Sequence, residues 1–190
     1  IGAASGLLTK VSVNKLSIIK TIQKSDASLR TIAINERTNE LAAGYSDNKI
    51  RIFDKSSLTL KHILEEHTNS VFTLKYNPDE NLLVSAGRDA HIRVWDVEAG
   101  YLNIQDIAAH MYAINNIDYS PDGKHFVTCS MDKSIKVWDS HTFKLCKVID
   151  KARHAGHGTS INKLLWSSHQ NWLLSASDDR AITIWNLEFT

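Results

Sequence analysis

Cysteine is almost missing from this sequence: Cys129 and Cys146 are the only two among 190 residues. Two thiols build no disulfide framework, so a reducing, intracellular and cytoplasmic setting is the expectation. Long apolar runs are absent too. The longest span a handful of residues, which excludes a transmembrane helix and predicts no membrane partner. No charged-then-apolar leader opens the chain, so no signal peptide is expected. Charge of either sign is not in excess: 22 basic against 21 acidic residues give a formal charge of +1. That argues against a chain-wide nucleic-acid footprint, though not against a local basic patch. No stretch repeats its apolar residues every 3.6 positions over a dozen residues, so helix content should be near zero. Proline occurs twice, at Pro78 and Pro121. With 43% hydrophobic and 23% charged residues, the chain is neither disordered nor of low complexity.

What is present is repetition. IRVWD at 92–96, IKVWD at 135–139 and ITIWN at 182–186 share one form, and IRIFD at 50–54 matches it with Phe for Trp. The aromatics Phe53, Trp95, Trp138 and Trp185 lie 42, 43 and 47 residues apart. Six residues before each stands an aspartate: Asp47, Asp89, Asp132 and Asp179. Four before the last three aspartates come Ser85, Thr128 and Ser175, and 18 before those come His67, His110 and His157. Such a period, near 40–45 residues, marks a repeat architecture.

The segments between these marks read as strands. VFTLKY (71–76), LLVSAG (82–87) and HIRVW (91–95) are short and rich in β-branched and aromatic residues. Asn77-Pro78-Asp79-Glu80 and Ser120-Pro121-Asp122-Gly123 read as hairpin turns in which proline presets the first central dihedral. LTLKHIL (58–64), YLNIQDI (101–107) and FKLCKVI (143–149) supply a fourth strand per repeat. Four short antiparallel strands per repeat describe a propeller blade.

In these motifs the chain resembles the WD-repeat β-propeller family, over nearly its whole length. The resemblance implies an all-β fold of four-stranded antiparallel blades, forming an incomplete ring in this chain. It also implies hydrogen-bonded tetrads His67–Ser85–Asp89–Trp95, His110–Thr128–Asp132–Trp138 and His157–Ser175–Asp179–Trp185. The chemistry agrees: indole N–H only donates and carboxylate only accepts, while a hydroxyl and an imidazole between them each donate once and accept once. Before Phe53 the equivalent positions are Ser25, Ala43 and Asp47, so no tetrad is expected there. GAAS (2–5), LLTKVSV (7–13) and LSIIKTIQ (16–23) read as second, third and fourth strands of a more degenerate blade.

The reading is therefore one propeller segment over 1–190. It has a partial blade at 1–23, blades at about 25–64, 67–107 and 110–149, and a last blade at 157–190 without its outer strand. That amounts to about 18 strands. At ~43 residues per repeat the chain supplies about four and a half blades, where seven are usual. The expectation is that missing blades come from a longer chain, upstream, or from a second copy.

His, Ser and Asp together are also the components of a hydrolytic triad. Here the set recurs three times beside a Trp that catalysis would not need, and no G-x-S-x-G elbow occurs. A structural role is the reading, with no catalytic residue. His154 and His157 have H-x2-H spacing but no Cys or carboxylate at ligand spacing, so no metal is expected, and no cofactor. Cys129 and Cys146 fall on second and fourth strands of one blade, about 9–10 Å apart, too far for a disulfide. Tyr76, Tyr119 and Trp166 share one position nine after the histidine and read as core between blades.

The resemblance further implies that partners dock on the face around the channel mouth. They do so through the residue before each Asp and those three and five after each His. The candidates are Arg30, Ser46, Ser70, Phe72, Arg88, Asn115, Met131, Asn162 and Asp178. The expected function is a non-enzymatic platform binding a protein or peptide. Two alternatives remain: a nucleic-acid-associated propeller acting through Arg30, Arg88, Lys151 and Arg153, and an enzyme with a site in the central channel. Nucleic acid is not the expected partner, given the net charge.

Overall fold

Alternating apolar residues turn each repeat into short strands that bury both faces of a small antiparallel sheet. The computed structural model describes residues 1–188, and five sheets follow one another along them. The first holds β1 (Leu7–Ser12) and β2 (Ser17–Gln23). The second holds β3 (Leu29–Asn35), β4 (Glu40–Tyr45), β5 (Ile50–Asp54) and β6 (Leu60–Leu64). The third holds β7 (Val71–Tyr76), β8 (Leu82–Gly87), β9 (His91–Asp96) and β10 (Leu102–Ala108). The fourth holds β11 (Ile114–Tyr119), β12 (His125–Ser130), β13 (Ile135–Asp139) and β14 (Leu145–Ile149). The fifth holds β15 (Ile161–Trp166), β16 (Trp172–Ser177) and β17 (Ile182–Asn186). Within each sheet the strands pair in chain order, as in the blades of a WD-repeat propeller, and among the described residues the sheets do not close into a ring.

Two details differ from the sequence reading. GAAS forms no strand, only a single bridge from Gly2 to Leu8, so the described residues hold 17 strands and the first sheet has two. The insertion before the last blade folds into a one-turn helix, α1 (Lys151–His154), because Asp150 accepts the Arg153 amide at 2.8 Å and caps it. The expected last blade ends at 190, and its residues 189 and 190 lie outside the described ones.

Every outer strand carries a bulge at one position. The ladder skips Ile19 in β2, Lys61 in β6, Ile104 in β10 and Cys146 in β14. The shared bulge aligns β1 and β2 with the third and fourth strands of the other blades. Two further side-chain links, from Lys10 to the carbonyl of Ser56 and from Lys20 to that of Ser57, pin this hairpin to the second sheet.

The core lies between sheets, not within them. Ala42, Ile50 and Ile52 of the second sheet pack with Val71, Leu74, Leu83 and Trp95 of the third. Val84, Ile92 and Val94 of the third pack with Ile114, Phe126 and Trp138 of the fourth. Tyr76, Tyr119 and Trp166 are buried in these interfaces. The inner strands β3, β7, β11 and β15 are successive neighbours around the central axis. Asp118 on β11 stitches three of the blades together. Its carboxylate takes Lys75 from β7 at 2.8 Å on one side and the Trp166 amide of β15 at 2.8 Å on the other.

Candidate functional site

At one end of the strands, each of the second to fifth sheets places a tight turn beside the start of its inner strand. The turn is built by the repeated aspartate. Oδ1 of Asp47, Asp89, Asp132 and Asp179 accepts the amide two residues on, at 3.3, 3.4, 3.0 and 3.0 Å. This is the local bond by which Asp nucleates turns. The residue between adopts a left-handed conformation, φ 63 at Ala90 and 70 at Lys133.

All three complete tetrads form. Trp95 Nε1 donates to Ser85 Oγ at 2.8 Å, His67 Nε2 lies 2.7 Å from that oxygen, and Nδ1 lies 2.8 Å from Asp89 Oδ2. The same bonds measure 2.9, 2.8 and 2.8 Å along Trp138–Thr128–His110–Asp132 and 2.9, 2.7 and 2.9 Å along Trp185–Ser175–His157–Asp179. Because the indole can only donate, the hydroxyl accepts from it and has its own hydrogen to give to Nε2. With Nε2 accepting, Nδ1 carries the ring hydrogen and donates to the carboxylate. The same carboxylate oxygen also accepts the amide just after the histidine, from Thr68, Met111 and Gly158. Each network thus holds the loop that precedes the inner strand.

Electrostatics agree with that assignment. Burial lowers the His67 imidazole and outweighs the pull of Asp89 towards the charged form; His110 is lowered for the same reason beside Asp132. Burial alone would raise Asp89, but hydrogen bonds from His67, Arg93 and the Thr68 amide hold its carboxyl well below the usual range. Asp132 is likewise held low, by His110 and Ser134. The three hydroxyls are fully or almost fully buried and engaged on both sides, which is the opposite of an exposed nucleophile. Cys129 is buried and its thiol is pushed up to about 12 by burial, while both cysteines are free.

The second sheet has a reduced version that the sequence reading did not anticipate. Ser25 Oγ donates to Asp47 Oδ2 at 2.8 Å in the place of the imidazole. Arg51 grips the same carboxylate through both terminal nitrogens, at 3.1 and 2.7 Å. Ala43 and Phe53 are both fully buried and contribute only packing.

The two candidate series meet pairwise. The amide of the residue before each Asp donates to the carbonyl of the residue at the inner-strand start. The pairs are Ser46 to Ser28, Arg88 to Ser70, Met131 to Ala113 and Asp178 to Ser160, at 2.9, 2.9, 3.0 and 3.1 Å. Two residues further along, each inner strand has a bulge, and the residue left out of the ladder is Arg30, Phe72, Asn115 or Asn162. Bulges re-aim side chains, and these four line one concavity at the mouth of the channel.

The candidates divide by what they are bonded to. Ser46 and Ser70 belong to the frame: Ser46 Oγ accepts the Ser28 amide, and Ser70 Oγ donates to the Ser46 carbonyl. Asn115 spans to the next blade through the Ile161 carbonyl, and Asn162 donates to Asp178. Arg30, Arg88 and Met131 are exposed and Phe72 is half-buried. Neither arginine makes an ion pair among the described residues. The sequence reading missed Met111 and Tyr112, exposed at 83% and 62%. They sit one and two residues after His110, beside Met131, whereas the family resemblance points to positions three and five. Their large apolar side chains directly after a rim histidine were the available signal.

Comparison with known proteins follows the same lines. A family model described as Eukaryotic translation initiation factor eIF2A matches residues 8–149, and one described as WD domain, G-beta repeat matches 149–186. Nuclear distribution protein PAC1-1 of Uncinocarpus reesii is 31% identical over 88% of this chain and 37% of its own length. Pre-mRNA-processing factor 19 of Bos taurus is 35% identical over 40% of this chain and 15% of its own. A chain in the solved structure described as Crystal Structure of Mitotic Checkpoint Complex superposes with a TM-score of 0.87 at 21% identity, covering 97% of this chain and 56% of that one. That last likeness is one of fold. The chain spans well under half the length of these two curated relatives.

Proposed function

Since the chain belongs to the WD-repeat β-propeller family, whose members generally act as protein-interaction scaffolds, we propose that it binds a protein or peptide segment across the rim described above. The single observation that carries this reading is the split of labour at the rim. Tetrads, Asp turns and Ser46/Ser70 bonds fix the backbone, while Arg30, Phe72, Arg88 and Met131 are held out of the ladder or in turns with their side chains uncommitted. Aromatic, Met and Arg side chains are those enriched at interface centres. No chemistry is assigned to the rim, because the His and Asp side chains of its tetrads are bonded to one another. The same reading puts the protein inside the cell, where its two free thiols stay reduced.

A second reading, nucleic-acid association, is favoured by the exposed Arg30, Arg88 and Lys151. Arg153, also counted for it, is paired with Asp150.

The test is calorimetric titration with a partner identified by affinity capture. Phe72→Ala or Arg88→Ala should weaken binding at least ~30-fold, the equivalent of a hot-spot truncation. Gln105→Ala, exposed on the outer strand β10, should change little. Loss of affinity at Gln105 with none at the rim would move the site to the perimeter.

A further inference from the structure

We propose that the rim selects an acidic, extended peptide segment carrying a large apolar side chain. The inference rests on the rim being the binding face, and it names what that face would take.

A formal charge of +1 conceals how the charges are sorted. At the rim, the charges of Asp47 and Asp89 are offset by Arg51 and Arg93, while Asp132 and Asp179 are held by His110 and His157. Asp178 carries the Asn162 amide. Against these stand Arg30, Arg88, Lys133, Lys163 and Arg180, all exposed and without an ion pair among the described residues. Arg30 and Lys163 also face the channel wall that Phe72 lines. At the far end of the strands the turns carry Asp79, Glu80, Asp96, Glu98 and Asp122 beside Arg37, Lys55 and Lys124. The unpaired cations are therefore gathered at the rim, where Glu65 is paired with Lys49 and Glu66 is bonded to Asn103.

Apolar side chains interrupt that field. Met111, Tyr112 and Met131 are 83, 62 and 52% exposed. They form one patch: Ser130 Oγ donates to the Tyr112 carbonyl, and the Met131 amide to the Ala113 carbonyl. Thioethers adapt to irregular apolar side chains. Rim charges steer encounter and choose between partners, while a desolvated apolar anchor supplies most of the affinity. Cations set blade by blade around a mouth, interleaved with Met and Phe, suit carboxylates alternating with an apolar anchor. A nucleic-acid tract asks instead for a continuous basic track with successive stacking rings, and among the described residues Tyr112 is the one well-exposed tyrosine, phenylalanine or tryptophan beside these cations.

The experiment is fluorescence anisotropy with the whole chain and three labelled probes of equal length: an Asp/Glu peptide with one central leucine, the same peptide with lysines for the acids, and a single-stranded oligonucleotide. The expected result is binding of the acidic peptide, weakened by salt. It should be lost by at least about tenfold in Arg30→Glu/Arg88→Glu and in Met131→Ala, and when serine replaces the leucine. The lysine peptide should not bind. Equal binding of the lysine peptide, tighter binding of the oligonucleotide, or indifference to the charge reversal would overturn the proposal. The two readings fail separately. A natural partner that Phe72→Ala weakens but charge reversal and salt do not would leave the rim as the binding face and refute the acidic class. A partner indifferent to every rim variant would refute both. Thermal midpoints of the variants check that these exposed substitutions leave the fold intact.

Discussion

The phenol of Tyr101, at the turn into β10, donates a 2.6 Å hydrogen bond to the carboxylate of Glu40 on β4, so each of two successive blades completes the other's buried polar site. Tyr76 adds its phenol 2.9 Å from that of Tyr101, Thr38 bonds the same carboxylate oxygen at 3.0 Å, and Lys61 pairs with the other. Burial pushes the Tyr101 phenol far above the tyrosine range, with Tyr76 and Glu40 acting in the same direction, so it stays a donor. Burial alone would raise Glu40, but Lys61, Tyr101 and Thr38 together hold it below the usual range.

Tyr101→Phe should therefore cost about 1.5–3 kcal/mol, the worth of a hydrogen bond to a charged group. Lys61→Ala should cost at most about 1 kcal/mol, because the lysine is partly solvated. Urea midpoints at unchanged m-value measure both. Equal losses would show that Glu40 depends on its ion pair and not on the tyrosine.

Thr128→Val keeps the volume of a fully buried side chain and removes its hydroxyl. It strands Trp138 Nε1 and His110 Nε2 together, at about 1–3 kcal/mol for each group left unpaired. Ser25→Ala removes one bond from Asp47, which keeps Arg51, and should cost less than half as much. Similar denaturation midpoints for the two variants would mean that the full tetrad adds no more than its reduced counterpart.

Stability should fall with acid, in two stages. His67 and His110 are lowered in the folded chain, so the unfolded chain takes up their protons first. Where the unfolded state binds more protons, stability rises with pH. Their contribution is thus whole above about 6.5, the ordinary histidine value, and is lost as pH falls below it. Asp89 and Asp132 are lowered as well, so their contribution is present above about 3.9 and disappears as pH falls through their depressed folded values. Midpoints measured from pH 8 to pH 3 should be flat, then decline, then decline more steeply. A midpoint that rises between pH 7 and pH 5 would contradict neutral imidazoles.

Gly87 closes β8 where no side chain fits. A methyl group there would lie 2.1 Å from the Ser70 carbonyl oxygen and 3.0 Å from Val71 Cα. Gly87→Ala should cost about 1–3 kcal/mol through backbone displacement. It should also loosen the bond from the Arg88 amide to Ser70. Hydrogen exchange should quicken at Arg88 and not at Met131, its counterpart one blade on. Acceleration at both would mean that the rim moves as one body.

The blades were legible in the sequence because a tetrad tolerates few substitutions. An indole that only donates and a carboxylate that only accepts fix Trp138 and Asp132, and the spacing does the rest. The reduced network of Ser25, Asp47 and Arg51 escaped because serine for histidine leaves no spacing signature, and Arg51 acts through a geometry that only the folded turn provides. GAAS resembled a strand in composition, yet the chain turns at Ala4 and Ser5 after a single bridge from Gly2 to Leu8. Asp118 looks like any polar residue on an inner strand; its two bonds reach residues more than forty positions away in the chain. Arg30, Phe72, Asn115 and Asn162 were placed by their distance from the histidine, but nothing in that count says that each is the unpaired residue of a bulge.

That unpaired status has an evolutionary consequence. A residue in the ladder is tied to a partner across the sheet, and a residue in the core to its neighbours' volumes. Arg30 and Phe72 are tied to neither by their place in the strand, while Asn115 and Asn162 keep only side-chain bonds. Where Arg30 or Phe72 changes identity, the propeller keeps its hydrogen bonds and its packing, and only the mouth acquires new chemistry. A lineage can rewrite its recognition one blade at a time without passing through an unfolded ancestor.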